Sequence, residues 1–146
     1  MICNQCEQTA KGVACTVSGV CGKKPEVAQL QDLLTYAVRG LSRVVLALGK
    51  TGINQPEIDR FVAKALFTTL TNVNFDPESL AEYIRKAVEL RENLVSKWGN
   101  PVTGDEGDDP SLHFMPAGDL QSMIRQGEEV GQLGFAEADP DIMSLK

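Results

Sequence analysis

The chain has 146 residues, 42% of them hydrophobic and only 5% aromatic, with a formal net charge of −6; this is the make-up of one soluble domain built mostly from helices. The acidic balance argues against non-specific binding to nucleic acid, which needs Lys and Arg to neutralise phosphates. No run approaches the roughly 18 apolar residues that span a bilayer, and the opening Met1-Ile2-Cys3-Asn4-Gln5-Cys6 is too polar for a secretory leader, so the expectation is a cytoplasmic protein with no membrane contact.

Residues 1–24 hold Gly12, Gly19 and Gly22 among Thr, Ser, Asn and Gln, and with no sustained apolar period they read as an irregular loop. The loop is mildly basic, Lys11, Lys23 and Lys24 outweighing Glu7. From Pro25 the pattern changes: Val27, Leu30, Leu33, Leu34, Ala37, Val38, Leu41, Val44, Val45 and Leu48 recur at three- and four-residue steps, which predicts a long amphipathic helix with Pro at its first turn and a stop at Gly49 and Gly52. A second helix is expected from Pro56, with Ile58, Phe61, Val62, Ala65, Leu66 and Leu70 on one face, ending among Asn72, Asn74 and Phe75. A third begins at Pro77 behind the cap residue Asp76, carries Leu80, Ile84, Ala87, Val88, Leu94 and Val95, and stops at Gly99. Residues 25–99 thus read as a three-helix, up-down-up bundle.

Residues 100–118 contain Pro101, Gly104, Gly107, Asp108, Asp109 and Pro110 and read as a long acidic loop, the best linker candidate and flexible unless something packs on it. A shorter helix follows from about Asp119 to Val130, with Leu120, Met123 and Ile124 as apolar points and Gly127, Gly131 and Gly134 as weak ones. Pro140 to Lys146 echoes Pro25 to Gln31 in its charged and apolar positions, so residues 119–146 read as a short helix and the start of a second bundle, the whole forming one domain or domain fragment.

Chemistry is concentrated in the loop. Cys3, Cys6, Cys15 and Cys21 are the only cysteines. Two residues between the first pair let both thiolates face one metal centre, and the longer glycine-bearing spans let the backbone supply two more ligands. Four thiolates suit an iron–sulfur cluster whose sulfurs would accept N–H bonds from Asn4, Gln5, Gln8, Thr9 and the glycine turns. The positive end of the first helix, four residues after Cys21, would favour its negative charge. Structural zinc also takes four cysteines but usually as two close pairs; disulfides need an oxidising compartment; a nucleophilic cysteine lacks a base, because the only histidine, His113, lies in the acidic loop. Lys23 and Lys24 read first as solvated lysines ahead of a helix, and second as part of the cluster's field or a contact for an acidic redox partner. The glycine-rich patches follow no strand, and Glu128, Glu129, Asp139 and Asp141 read as solvated surface.

The run Cys-Asn-Gln-Cys-Glu-Gln-Thr-Ala-Lys-Gly at 3–12, Cys15, Gly-Val-Cys-Gly-Lys at 19–23 and Leu-Gln-Asp-Leu-Leu at 30–34 resembles the N-terminus of the hybrid cluster proteins, also called prismane proteins or hydroxylamine reductases. The resemblance is dense over about the first 42 residues and lies mainly in helix pattern beyond them. It implies that Cys3, Cys6, Cys15 and Cys21 ligate the proximal cluster of a helical first domain, with a spacing similar to the anaerobes' [4Fe-4S] form rather than the [2Fe-2S] form. Glu7, Gln8 and Lys11 match without an assigned role. It also implies later domains that carry a catalytic iron–sulfur–oxygen cluster on His, Glu and Cys residues, where hydroxylamine is reduced to ammonia or nitric oxide is handled.

The expectation is therefore a mostly α chain that resembles the first bundle of that first domain, cut where the second bundle should start. One [4Fe-4S] cluster would pass single electrons towards a catalytic site the chain lacks, so the chain alone is expected to be inactive on hydroxylamine. The implied partners are a redox protein and the missing catalytic domains, and faces left open by truncation could drive self-association. The alternative is a non-catalytic helical scaffold stabilised by zinc or an iron–sulfur cluster, which would show no reversible one-electron couple.

Overall fold

The computed structural model describes residues 1–3 and 5–133. Four helices carry the architecture: α1 (Pro25–Lys50), α2 (Pro56–Thr68), α3 (Pro77–Trp98) and α4 (Leu120–Leu133). Among the described residues no strand forms, and no helix is long and apolar enough to cross a membrane.

α1 is the axis of the molecule. Pro25 occupies its first turn, and its stripe of Val27, Leu30, Leu33, Leu34, Ala37, Val38, Leu41, Val44 and Leu48 is buried; at roughly 1.5–3 kcal/mol for each large apolar side chain, this face is the main source of stability. It ends where Thr51 donates its hydroxyl and its backbone N–H to the Leu48 carbonyl and Gly52 turns to φ 86°. α3 starts as its sequence dictates, with the Asp76 carboxylate accepting from the Glu78 N–H at 3.0 Å, and buries Leu80, Ala81, Ile84, Ala87, Val88 and Leu94. α1 packs chiefly against α3 and α4, and α2 lies against both α1 and α3 over a smaller face. Thus α4, with Met123 fully buried, is a full member of the bundle.

Two stretches differ from expectation. α2 stops at Thr68, because the Thr68 and Thr69 hydroxyls bond back to the carbonyls of Ala65 and Leu66 and Asn72 adopts φ 63°; such back-bonding competes with helix continuation. Leu66 and Leu70, expected in the stripe, are 40% and 53% exposed. The acidic stretch expected as a linker is instead clamped to the bundle. It forms two short 3₁₀ turns, Gly104–Asp108 and Pro110–Leu112, and buries Val102, Asp109, Ser111 and Leu112. Asp109 accepts from Arg39 of α1 at 2.5 Å and is ion-paired with Arg43 of α1 at 2.7 Å, while buried Arg91 of α3 donates to the carbonyls of Ser111 and Phe114 at 2.8 and 2.7 Å. The expected second-bundle start, read from Pro140 to Lys146, lies outside the described residues.

Candidate metal centre

The cysteine loop is irregular but well held. Cys3 and Cys15 pair antiparallel, each N–H reaching the other's carbonyl at 3.0 and 2.8 Å, and directly opposed residues in such a pair send their side chains to the same face. A 3₁₀ turn at Ala10–Gly12 aims the Ala10 N–H at Cys15 Sγ, 3.4 Å away. Cys15 is buried, Cys3, Cys6 and Cys21 are half-buried, and all four are free thiols.

The N–H groups of Ala10 and Val20 lower the pKa of the Cys15 thiol, with a smaller contribution from the charge of Lys23, and together these outweigh burial. Cys21 sits on a tight turn in which Gly22, at φ 88°, donates to the Gly19 carbonyl and Gly19 to that of Lys23. A Cβ on Gly19 would lie 3.1 Å from Cys21 Sγ and 2.9 Å from Lys23 Cβ, so only glycine leaves this sulfur room.

The structure thus brings Cys3 and Cys15 side by side and keeps Cys6 and Cys21 on the same loop; among the described residues no three of His, Cys, Asp or Glu are gathered as a closed ligand set. Thiolates repel one another, and in metalloproteins the binding energy of the metal is what draws the ligands in. By its chemistry the donor set fits a sulfur-ligated metal: four unpaired thiols, backbone N–H groups aimed at sulfur, and a glycine cradle where a side chain would collide. His113, away in the 100–118 segment, is exposed.

The largest departure from the sequence reading is Lys23. Lys24 is solvated as expected, its side chain 76% exposed, but Lys23 is 1% exposed. Its Nζ donates to Gln5 Oε1 at 2.7 Å and Gln31 Oε1 at 2.6 Å, and lies 3.8 Å from Cys3 Sγ. Gln5 therefore serves the loop as an acceptor for Lys23. The signal that could have found this is Gln31, a polar residue between Leu30 and Leu33 on the buried side of α1, where a side-chain amide needs a partner. Its Nε2 donates to the Asn74 carbonyl at 3.2 Å, tying the loop, α1 and the connection between α2 and α3 into one network.

Comparison with known proteins finds that the family model described as Prismane/CO dehydrogenase matches residues 1–146. Among curated relatives, hydroxylamine reductases from Methanocella arvoryzae, Syntrophobacter fumaroxidans and Geobacter metallireducens are 54%, 49% and 41% identical over 100%, 100% and 99% of this chain. The chain spans 27% of the length of each.

Proposed function

Because the chain belongs to the Prismane/CO dehydrogenase family, we propose that Cys3, Cys6, Cys15 and Cys21 hold a [4Fe-4S] cluster that receives and passes single electrons as part of a cytoplasmic hydroxylamine reductase. The observation that carries the reading is the Cys3–Cys15 pairing with the Ala10 N–H aimed at the Cys15 sulfur: N–H bonds to ligand sulfur are the means by which proteins tune such clusters. When bound, the cluster supplies a one-electron couple. The chain's own part is to favour ionisation of Cys15 through the N–H groups of Ala10 and Val20 and to present the loop against the α1 bundle. The relatives named hydroxylamine reductase are nearly four times as long. Reduction of hydroxylamine is therefore assigned to the whole protein, with the remainder of it and a redox protein as partners, and this chain alone is expected to give no turnover.

The test is anaerobic purification with iron, zinc and acid-labile sulfide analysis, and EPR before and after dithionite. About four irons and four sulfides with a reversible low-temperature signal are expected, and Cys15→Ser should lose most of the iron. Stoichiometric zinc with no signal, persisting after iron–sulfide reconstitution, would replace this reading by the metal-stabilised scaffold.

A further inference from the structure

Burying an ammonium removes it from water at a cost of several kcal/mol by general experience, so buried lysines are paired with negative charge. Lys23 has its three donors directed at two neutral amide oxygens and one sulfur. Amide oxygens solvate the charge without cancelling it. Among the described residues no carboxylate lies within the 4.0 Å ion-pair range of Lys23. Asp32 lines the same pocket as Lys23, Cys3, Gln5 and Gln31 outside contact range; burial raises its pKa to about 6 and the charge of Lys23 opposes that rise, so it is a longer-range partner and not a contact of the ammonium. Of the three groups that Lys23 Nζ touches, the one able to carry a balancing negative charge is Cys3 Sγ, with whatever that sulfur ligates.

We propose that Lys23 is the built-in counter-charge of the cluster: it pins the Cys3 arm to α1 through Gln5 and Gln31, and its fixed positive charge favours the reduced cluster. This rests on the cluster reading above. Reduction adds one electron from an external donor, dithionite in the test and a redox protein otherwise, and Lys23 acts on that step through its charge. It is a positioning residue, since its contact is with a ligand sulfur rather than with a reacting atom.

EPR-monitored redox titration of the reconstituted 146-residue chain decides it, with circular dichroism and iron content as checks on fold and loading. Gln31→Glu keeps an oxygen for Lys23 to bond while neutralising its field. It is expected to keep fold and iron and to shift the reduction equilibrium about tenfold towards the oxidised form, a midpoint about 59 mV lower for a one-electron couple. Lys23→Met should shift it the same way. Gln31→Met, which removes the bonds to Lys23 and to the Asn74 carbonyl without altering charge, should move it less than about threefold, a shift below about 30 mV. If Lys23→Met does not fold, Gln31→Glu still decides. A wild-type couple whose midpoint is unchanged in Gln31→Glu, or is moved as far by Gln31→Met, overturns the role of Lys23 and leaves the cluster reading standing. A wild type with no reversible couple removes the cluster reading and this inference with it.

Discussion

A Cβ on Gly127 of α4 would fall 2.1 Å from the Gln29 carbonyl oxygen of α1, so the two helices meet backbone to backbone at this crossing. Small residues permit that approach, and the cost of a side chain there is set by how far whole helices must separate. Gly127→Ala gains roughly 1 kcal/mol in helix propensity, yet overpacking of this kind costs about 1–3 kcal/mol. A net loss of stability is expected in urea denaturation. One turn further on, a Cβ at Gly131 would meet the Asp32 carboxylate at 2.9 Å, the free end of a side chain that can swing away. Gly131→Ala should therefore be neutral or stabilising, and equal losses at both positions would contradict the close-approach argument.

Arg91 of α3 holds a different stretch of the chain to the bundle. It is 1% exposed and its bonds to the Ser111 and Phe114 carbonyls hold the acidic stretch against the bundle; its ion pair with Glu92, whose side chain is 52% exposed, adds little. Arg91→Met fits the space and strands two carbonyls. A loss of roughly 2–4 kcal/mol is expected from unsatisfied buried acceptors, with new protease cleavage confined to residues 100–118. Unchanged protection of that segment would show that Arg91 does not hold it.

The course of α1 and α3 was legible because periodicity, a leading proline and a terminal glycine agree at each, and the same levels of evidence agree in the structure. The end of α2 was not, because apolar spacing continues through Leu70 while the Thr68 and Thr69 hydroxyls stop the helix. The acidic stretch looked like a linker because composition cannot show that Arg39, Arg43 and Arg91 lie within reach of it. At the candidate centre the four cysteines stood out by number and spacing. Lys23 did not, since a lysine beside a second lysine reads as solvent-facing until Gln31, eight residues on and two turns up α1, is known to be its acceptor.

Asp32 makes stability fall as pH rises. Burial raises its pKa from 3.8 to about 6 against the pull of Lys23 and the chain's N-terminus, so the folded form holds this proton where the unfolded chain has lost it. The penalty is absent below about pH 4, grows between about pH 4 and 6, and is complete above. Asp32→Asn should then be more stable than the parent at pH 7, by at most roughly 3 kcal/mol, and no more stable at pH 3.5. Chemical denaturation across that window checks it, and a constant difference between the two proteins would contradict the burial argument.

Asp109 has the opposite sign. Burial alone would raise its pKa, but the Ser111 N–H and the Arg39 guanidinium hold it below the usual carboxylate value, and Arg43 lies in ion-pair range of its Oδ2. A depressed folded pKa contributes stability that is present above about pH 4 and is lost as pH falls through the folded value. Asp109→Asn keeps an oxygen for the Ser111 N–H but loses the charge between two arginines of α1. It should cost about 1–3 kcal/mol at pH 7, the range of a charge-assisted hydrogen bond, and that cost should shrink as acid protonates the parent. Combined with Asp32→Asn, whose gain shrinks over a similar acid range, the two changes should approach additivity only if the sites share no partner. Asp32 faces Gly131 and the Lys23 pocket while Asp109 faces Arg39 and Arg43, so additive stabilities at pH 7 are the expected result, and a coupling well above about 0.5 kcal/mol would mean that strain in α1 connects them.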